Sequence, residues 1–582
     1  MFRGGPVHVG TTLQQTTGED TPLWEQTFAA WAWRPAVGAR PVQVTARAAD
    51  PSTPARLLGG RDGVIEDLGE LGANPRTLDL TDPTTPPWLW VAGASSVRWS
   101  VEVSDREPAG SAGGARRALT LPQVTAVVPT FRREQDATAQ AAAFAAMEHV
   151  ARVLVIDQAG TLASHAPFTE LREQQPSIEL IEQPNLGGSG GYARGMLASL
   201  SDPSQAVFLS DDDAVISAES MRRILTFQTL AEAPTIVGTG LLAADAPGTL
   251  LAHAEHVDRT PFFWRPADGM EGPLDLRGTT PADWDALLPR TAPDYTGWWG
   301  TLLPPGAVGL LGLPAPYFLK WDDAEYGLRA TRNGYSTAVL PGASVTHPSW
   351  DAYRTQMSWS ARILHRNRLA TAAACGAGPG VLVHSLLHQA KHVLSGLHLT
   401  ALLWDDGARA ALSGPESWLG KDLGRARQDG QRIVDDWRER QQARTADLSP
   451  TRTAPFSLPA GALRAQRRLL APSRTPQEVL ALPAEEISWR TTLGADGVII
   501  TSPDGARIDA FTIDGHDDRA LLLRVLRTHA GLGARWGRLR RRYARALPAW
   551  TTDVAWRRIL ADATGNGSGN ETRDDSNGKG GR

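Results

Sequence analysis

The 582-residue sequence predicts an α/β core with a mostly parallel sheet and helices on both faces, between an all-β sandwich or barrel domain and a mainly helical C-terminal domain. Three observations predict this order. Short extended runs fill residues 1–118, apolar runs of strand length alternate with helical stretches in residues 119–371, and helical patterns dominate residues 372–563. Residues 564–582 are rich in Gly, Asn, Ser and charged side chains, which is typical of a disordered tail.

The N-terminal region is indicated by short runs of β-branched and aromatic residues between Pro, Gly, Asp and Thr. Residues 97–103 alternate between apolar and polar side chains, as a half-buried strand does. Residues 107–115 follow with many flexible residues and no periodicity, which is typical of a linker. We therefore place a domain boundary there.

The α/β region is indicated by four apolar runs that each end in polar residues, with helical stretches between them. In a parallel sheet the carboxyl ends of the strands meet at one edge, and ligands bind there. We expect the polar residues after these runs to lie close together. The four runs are residues 124–128, 153–156, 178–181 and 206–209.

The C-terminal region has helical patterns in residues 381–404 and 419–448, a short β-like insert in residues 498–513 and a basic helix in residues 519–546. Aromatic residues lie among the arginines of this last part. Such a combination suits an anionic membrane surface, and a solvated helix or a subunit interface is the alternative. The residues are Arg524, Arg527, Arg535, Arg538, Arg540, Arg541, Arg542, Arg545, Trp536, Tyr543 and Trp550.

Composition limits the partners. The net charge is −4, from 59 basic and 63 acidic residues, so no overall field favours nucleic acid and no such partner is expected. Cys375 is the only cysteine, which excludes internal disulfides and agrees with a reducing compartment. The first residues lack the apolar core of a signal peptide, and no stretch of ~20 uncharged apolar residues follows. We predict a cytoplasmic location.

Three consecutive aspartates, Asp211, Asp212 and Asp213, follow the apolar run 206–209. Strand alternation sends Asp211 and Asp213 to the same side, where two carboxylates could bind one divalent cation such as Mg²⁺ or Mn²⁺. Without a cation, their mutual repulsion raises at least one pKa. The alternative is a solvated loop that ends in a helix N-cap. The apolar strand before the aspartates favours the metal site.

A glycine-rich turn in residues 185–195 precedes a helical stretch. Glycines let backbone N–H groups approach a phosphate, and the helix dipole favours its negative charge. Residues 188–193 also satisfy a loose dinucleotide-binding pattern, with Asp211 near the distance expected of its acidic residue. Two facts oppose that alternative: the turn follows the third strand of the unit, and three acids exceed what one ribose hydroxyl needs.

A second acidic pair, Asp322 and Asp323, follows Trp321 at the start of a helical stretch. Either carboxylate suits a general base, which must reach the proton of an attacking hydroxyl. The alternative is a pair of acids that complement the helix dipole. Trp298 and Trp299 form a candidate surface for sugar stacking, although aromatic residues more commonly belong to the core.

His347 follows a strand-like run. An imidazole at that point could complete a metal site or contact phosphate, although a lone histidine is more often a hydrogen-bonded structural residue.

The motifs together resemble the family 2 glycosyltransferases with the GT-A fold, and more closely the polymerising galactofuranosyltransferases of actinobacterial cell-wall galactan synthesis. The resemblance covers about residues 121–370, and the flanking regions resemble those enzymes only in architecture. It is carried by residues 129–132, 157–158, 185–191, 211–213, 298–299, 321–325 and 347–350.

The resemblance implies a function for each motif. UDP-galactofuranose would be the donor and Mn²⁺ or Mg²⁺ the cofactor, with the metal bound by Asp211, Asp213 and His347. Asp323 would be the catalytic base, with Asp322 beside it on the acceptor. The nucleotide sugar would be bound by Thr130, Arg132, Gln158, Asn185 and Asp212, and the acceptor by Trp298, Trp299 and Trp350.

The implied reaction is an inverting single displacement that extends a galactan carried on a polyprenyl diphosphate lipid. The resemblance also implies a homo-oligomer associated peripherally with the inner face of the plasma membrane. Within the same fold, the alternative is a transferase for another nucleotide sugar, such as a rhamnosyl or single-addition enzyme. From another class, the alternative is a non-catalytic carbohydrate-binding protein.

Overall fold

A computed structural model of the protein describes residues 6–13, 23–102, 121–266, 270, 272–289, 291–349, 355–472, 475–502 and 504–566. The predicted linker, Trp350 and residues 567–582 of the predicted tail lie outside the described residues. Residues 564–566 of that tail belong to the last helix.

The N-terminal region contains β1 (Pro6–Leu13), β2 (Phe28–Ala29), α1 (Ala30–Val37), β3 (Val42–Ala48), β4 (Ala55–Arg61), β5 (Val64–Leu71), β6 (Arg76–Leu78), β7 (Trp88–Ala92) and β8 (Ala94–Glu102). Two antiparallel sheets form, with the orders β1-β8-β3-β6 and β2-β7-β4-β5. The region is therefore β-rich, but helix α1 means that it is not all-β. Alanines favour this helix, and Trp33 and Val37 bury one of its faces. A sandwich or barrel arrangement stays a prediction.

The α/β region contains β9 (Val124–Thr130), α2 (Glu134–Ala145), β10 (Val150–Asp157), α3 (Ala166–Gln174), β11 (Ile178–Glu182), α4 (Gly187–Ser199), β12 (Ala206–Leu209), β13 (Val215–Ile216), α5 (Ala218–Leu230), β14 (Thr235–Ala243), β15 (Thr249–Ala252), β16 (Glu255–Asp258), β17 (Phe263–Pro266), β18 (Leu274–Asp275), β19 (Thr301–Leu303), α6 (Ala307–Leu311), α7 (Asp322–Arg332) and β20 (Ser336–His347). Short 3₁₀ turns occur at Leu162–Ser164, Pro281–Asp283 and Asp285–Leu287.

The main sheet of this region is mixed, and the prediction of a mostly parallel sheet was wrong in this respect. Its order is β11-β10-β9-β12-β19-β14-β15-β18, with β20 paired to β14. Strands β9 to β12 are parallel, as predicted, but β19 lies antiparallel between β12 and β14. Strand β19 is three residues long and is formed by pairing with distant strands, so local periodicity in the sequence does not reveal it.

Helices cover both faces of this sheet. Along β9, Ala126 and Val128 belong to one hydrophobic cluster with Phe144 of α2, whereas Val127 belongs to another with Met196 of α4. Successive strand residues point to opposite faces, so α2 and α4 pack on opposite sides. The predicted two-sided arrangement is thereby observed.

The N-terminal sheets continue the core of the α/β region. The cluster that contains Ala126 also contains Phe28, Trp33 and Trp99. Trp33 packs edge-on against Phe227 of α5, with ring centroids 5.4 Å apart. The two regions are therefore joined by buried apolar contacts and share one core.

The C-terminal region contains α8 (Ser360–Ala374), α9 (Gly380–Leu394), α10 (His398–Ser413), α11 (Arg425–Thr445), α12 (Leu458–Leu470), β21 (Val479–Pro483), α13 (Trp489–Thr492), β22 (Gly497–Thr501), β23 (Arg507–Thr512), α14 (Gly515–Trp550) and α15 (Asp553–Asn566). Short 3₁₀ turns occur at Pro415–Ser417 and Ala484–Glu486. The predicted β insert is present as the sheet β21-β22-β23. Helix α15 returns to the α/β region, where the Trp556 indole donates to Pro314 O (2.8 Å).

The basic helix is α14, and its aromatic residues face inward. Trp536 and Tyr543 are buried in the hydrophobic core, so they do not share an exposed face with the arginines, as an interleaved membrane surface would require. Leu523 and Leu526 are exposed instead, beside exposed arginines such as Arg527. None of the described helices is both long enough and apolar enough to cross a bilayer.

Candidate active site

The site forms at the carboxyl ends of the parallel strands, as the alternation of strands and helices predicted. Strand β12 is fully buried and ends at Leu209, and the aspartates follow in a turn. Gln140 of α2 holds this turn, because its Nε2 donates to Ser210 Oγ (3.0 Å) and Ala214 O (2.5 Å). A buried side chain thus binds the residues on both sides of the three aspartates.

The first part of the site is the aspartate cluster, which we define as Asp211, Asp212, Asp213 and His347. Ligand atoms of Asp211, Asp213 and His347 all lie within 4.8 Å of one another. His347 comes from the end of β20, and its Nε2 lies 3.2 Å from Asp213 Oδ1. The structure therefore brings together the three predicted metal ligands. Two carboxylates and one imidazole are ligand types that bind Mn²⁺ and Mg²⁺.

Arg133 is the cation that faces this cluster. Its guanidinium lies 3.2 Å from Asp212 Oδ1 and also contacts Asp213 Oδ2. The predicted residue, Arg132, is exposed, has a left-handed backbone (φ 57°) and places its guanidinium over the Phe131 ring. The adjacent arginine, which sequence reasoning missed, is the one that contacts the aspartates.

The carboxyls of the aspartate cluster differ in proton affinity. Burial raises the pKa of Asp211 against the opposing hydrogen bond from Tyr192, and it raises the pKa of Asp212 to about 6. Burial would also raise the pKa of Asp213, but His347 and Arg133 outweigh it and hold that pKa at about 2. Burial lowers and Asp213 raises the pKa of His347, and the net effect is an increase.

The other predicted nucleotide-binding residues lie around the same strand ends. Thr130 ends β9 and donates through Oγ1 to Asp212 Oδ2 (2.7 Å). Gln158 is buried and its Oε1 accepts from Leu186 N (3.0 Å). Asn185 accepts through Oδ1 from Gly187 N (3.0 Å). The Gln158 bond holds the glycine-rich turn against the end of β10. The contacts of these residues with a nucleotide stay predictions.

The second part of the site is the acid pair, Asp322 and Asp323, at the start of α7. Asp322 is buried and Asp323 is half-buried. Burial and then the charges of Asp322 and Glu255 raise the pKa of Asp323 well above its usual value. Burial likewise raises the pKa of Asp322 against a hydrogen bond from Ser189. A carboxylate with a raised pKa is a stronger proton acceptor than an exposed one.

Glu255 is a further acid at this pair that sequence reasoning missed. It begins β16, and burial raises its pKa to about 7, against hydrogen bonds from Trp264 and Tyr295. The Trp264 indole donates to Glu255 Oε1 at 2.8 Å. No motif in the sequence marked Glu255, because its position beside Asp323 depends on a contact between distant segments.

Helix α4 joins the two parts of the site. Ser189 Oγ donates to Asp322 Oδ2 (2.8 Å), and the Tyr192 hydroxyl donates to Asp211 Oδ1 (2.7 Å). Residues three apart lie on the same face of a helix. The glycine-rich helix therefore sets the distance between the acid pair and the aspartate cluster.

Gly187 shows why this helix begins with glycine. Its φ is 70°, and a Cβ added there would lie 2.0 Å from Phe318 O. Ser189 N donates to the same carbonyl at 3.1 Å. Any side chain at position 187 would push apart α4 and the segment before Asp322.

The predicted acceptor tryptophans differ in exposure. The Trp298 ring is 6% exposed and packs edge-on against Tyr192 and Tyr326, with centroids 5.0 and 5.8 Å apart. Trp299 is half-buried and borders the other face of the sheet. In this structure Trp298 supports Tyr192 from the core, so little of its ring is available to a sugar. Acceptor binding by either residue stays a prediction.

Lys320 is the remaining charged group shared by both parts. It has a left-handed backbone (φ 66°), and its charge opposes the raised pKa of Asp211, Glu255, Asp322 and Asp323 alike. A single ammonium group therefore acts on carboxyls of both the aspartate cluster and the acid pair. Sequence reasoning missed this residue as well.

The site and fold define a class of enzyme. Residues 122–372 match the family described as glycosyltransferase like family 2, and the chain is a glycosyltransferase of that family. Residues 438–562 match a second family described as galactofuranosyltransferase-2, domain 3. That second match lies in the C-terminal region, outside the site.

Within this class the chain belongs to the galactofuranosyltransferases. It is 30% identical over 553 residues to galactofuranosyltransferase GlfT2 of Mycolicibacterium smegmatis, covering 88% of this chain and 83% of that protein. It is 29% identical over 465 residues to GlfT2 of Mycobacterium tuberculosis, covering 75% and 73%. Galactofuranosyltransferase GlfT1 of M. tuberculosis is 29% identical over 231 residues, covering 39% of this chain and 70% of that protein.

Proposed function

We propose that the chain transfers galactofuranose from UDP-galactofuranose to a growing galactan on a polyprenyl diphosphate lipid, with inversion at the anomeric carbon. One observation supports this proposal: a member of the galactofuranosyltransferases has two acidic sites, the aspartate cluster and the acid pair, whose surroundings differ. One combines carboxylates with an imidazole and an arginine, and the other holds carboxyls with raised pKa values. Transfer from a nucleotide sugar needs one site for the diphosphate and one for the acceptor proton.

A divalent cation fits the aspartate cluster. Asp211, Asp213 and His347 would bind it, since their ligand atoms lie within 4.8 Å of one another. A bound Mn²⁺ or Mg²⁺ would neutralise the charge that develops on the leaving diphosphate. Arg133 supplies a second positive group at the same place. Mn²⁺ binding measured by electron paramagnetic resonance tests this assignment, and an Asp213→Asn variant with unchanged affinity would overturn it.

The acid pair would perform the proton transfer. The acceptor hydroxyl attacks the anomeric carbon while the bond from that carbon to the diphosphate oxygen breaks. The hydroxyl proton passes to Asp323, and UDP leaves with the electron pair of the broken bond. Asp322 accepts from Ser189, which orients this carboxyl beside Asp323, where it would contact the acceptor. We assign Thr130, Arg132, Gln158, Asn185 and Asp212 to the nucleotide sugar, and we add Arg133 as a further positive group at the aspartates.

The direct test is mass spectrometry of products from the full chain, UDP-galactofuranose, Mn²⁺ and a synthetic galactofuranosyl acceptor. We expect a ladder of added hexose residues. Parallel reactions with other UDP-sugars and with dTDP-rhamnose decide the donor. Extension from one of these and none from UDP-galactofuranose would replace the proposed donor, and no extension from any donor would favour a non-catalytic carbohydrate-binding protein.

We also propose that α14 meets the membrane that carries the acceptor. Exposed arginines and the exposed Leu523 and Leu526 lie along this helix, and basic amphipathic helices bind anionic bilayers. The test is flotation with phosphatidylglycerol vesicles. Arg535→Glu with Arg538→Glu should lower recovery of the protein with the vesicles.

The matched control for flotation is Arg425→Glu with Arg432→Glu, two side chains of α11 that are 65% and 66% exposed. Equal recovery of the two double variants would contradict the membrane proposal. A homo-oligomer, and domain boundaries near residues 118, 371 and 563, also remain our proposals.

A further inference from the structure

The segment that leads into the acid pair has an unusual backbone. Phe318, Lys320 and Trp321 have φ values of 74°, 66° and 72°, in the left-handed region that favours glycine. Three such residues within four positions are strained, and strain of this kind persists only where surrounding contacts impose it. Asp322 follows directly as the first residue of α7. The position of the acid pair therefore depends on what holds this segment.

The contacts come from Asn367 of α8, which is fully buried. Its Nδ2 lies within hydrogen-bonding distance of the carbonyl oxygens of Tyr317 (3.3 Å), Leu319 (2.9 Å) and Lys320 (3.0 Å). An amide has two N–H groups, so one of the three bonds is shared. One side chain thus binds the carbonyls on both sides of the left-handed Phe318.

Arg366 fixes the orientation of this amide. Its Nε donates to Asn367 Oδ1 (3.0 Å), and its terminal nitrogen donates to Tyr317 O (3.0 Å). Arginine can only donate, so the oxygen of Asn367 must face Arg366 and the nitrogen must face the segment. The donors of Asn367 therefore cannot exchange places with its acceptor.

The held segment also contacts α4, the helix that binds both the acid pair and the aspartate cluster. Phe318 O accepts from Ser189 N (3.1 Å), and Ser189 Oγ donates to Asp322 (2.8 Å). A movement of the carbonyls that Asn367 holds would displace Asp322 and its hydrogen-bonding partner on α4 together. Thr130 and His347 lie at the ends of β9 and β20, and Asp213 follows β12, so these residues belong to other elements.

We propose that Asn367 is a positioning residue for the acid pair: it holds residues 317–321 in the left-handed path that places Asp322 and Asp323 beside the donor site. This inference rests on the proposed function for its effect on transfer. Its effect on the backbone of the segment does not depend on that function.

The alternative is that Asn367 only satisfies buried carbonyl groups. That role predicts a loss of stability with no selective effect on transfer. The positioning role predicts a selective loss of kcat, because a small displacement of a catalytic group has a large effect on rate, whereas nucleotide binding uses other elements. The two roles are therefore separable by experiment.

The test uses the full chain with Asn367→Leu, which removes the donors, and Asn367→Asp, which keeps the shape and the bond to Arg366. Gln441→Leu is the matched control, since Gln441 is a buried amide that accepts from Thr512 N (2.9 Å) in the C-terminal region. For each variant, the measurements are kcat, KM for the nucleotide sugar, UDP affinity, the thermal midpoint, and hydrogen exchange of peptides spanning residues 317–323.

We expect both Asn367 variants to lower kcat by about 10- to 100-fold with KM and UDP affinity changed by less than about threefold. Hydrogen exchange in residues 317–323 should increase, and Gln441→Leu should change neither kcat nor this exchange. Unchanged kcat, or a fall in kcat without faster exchange, would overturn the proposal. If the wild-type chain transfers no galactofuranose, the proposed function fails, and the exchange experiment still decides whether Asn367 holds the segment.

Discussion

Asp213 of the aspartate cluster and Asp323 of the acid pair are the same kind of side chain in opposite electrostatic surroundings. In the cluster, Asp213 faces His347 and Arg133, which hold its pKa at about 2. At the pair, Asp323 faces Asp322 and Glu255, and its pKa is raised. A carboxyl that stays ionised suits a cation and a diphosphate, whereas one with high proton affinity suits a base. The difference shows that burial and neighbouring charges, and not residue type, set the proton affinity of each carboxyl.

Helix α4 contacts both the aspartate cluster and the acid pair, and so fixes their relative position. Ser189 binds Asp322 and Tyr192 binds Asp211, so the two sites are held on one rigid element. A base must lie within hydrogen-bond reach of the attacking hydroxyl when the donor is bound. Variants that change one site and spare the other should therefore separate donor binding from proton transfer.

Asp323→Asn is expected to have the largest effect. The amide keeps the shape of the side chain but cannot accept the proton, so kcat should fall by about 10²–10⁴-fold. UDP affinity should stay close to wild type, because the aspartate cluster is unchanged. Calorimetric titration with UDP and Mn²⁺, alongside product formation, measures both. Product formation at the wild-type rate would remove Asp323 from the base assignment.

Asp213→Asn should affect the other site. The change removes a proposed metal ligand and the partner of His347 and Arg133, so Mn²⁺-dependent UDP binding should weaken and transfer should fall by roughly 10²-fold. Asp82→Asn is a suitable control, since this aspartate is exposed and accepts from Thr84 in the N-terminal region, outside both sites. Equal Mn²⁺ titrations of wild type and Asp213→Asn would contradict the assignment.

Glu255→Gln should move the pH profile without abolishing transfer. The charge of Glu255 raises the pKa of Asp323, so removing that charge lowers the pKa of the base. Asp323 then stays ionised to lower pH, and the acidic limb of kcat/KM should shift downward by about half a unit to one unit. The shift is limited because Glu255, with a pKa of about 7, is itself only partly ionised near neutral pH. An upward shift would contradict the proposed interaction.

Lys320→Gln should produce the smallest effect, with the opposite sign. The charge of Lys320 opposes the raised pKa of Asp323, so its removal raises that pKa and moves the acidic limb upward. Lys320 is exposed and its field is screened, so we expect a shift of less than about half a unit at physiological salt. A larger shift of the acidic limb at low ionic strength would support the electrostatic cause. A shift that is the same at low and high salt would refute it.

The aspartate cluster could be predicted in large part from sequence, because Asp211 and Asp213 directly follow a buried strand. His347 also lay at a predicted strand end, and the structure brings it to the same place. The sequence also indicated both residues of the acid pair, but it did not indicate Glu255 or Lys320. Their contribution is electrostatic and crosses between distant segments, so no local pattern reveals it.

Two further groups of residues show the same limit. Arg132 and Arg133 are adjacent in the sequence, and the structure shows that the Arg133 guanidinium contacts the aspartates, whereas Arg132 has a left-handed backbone. Trp536 and Tyr543 lie among arginines in the sequence, yet they face the core of the C-terminal region. In both cases the side chain's direction depended on backbone geometry or packing that residue type does not specify.

The sequence by itself determined the alternation of the first four strands of the α/β region with helices, the family, and the two groups of aspartates, because these depend on periodicity and on residues adjacent in the chain. Only the tertiary structure decided which charges surround each aspartate, that the main sheet is mixed, and that Asn367 holds the segment before the acid pair. The physical reason is that pKa values, strand pairing and strained backbone depend on contacts between distant residues. Local sequence patterns do not reveal those contacts.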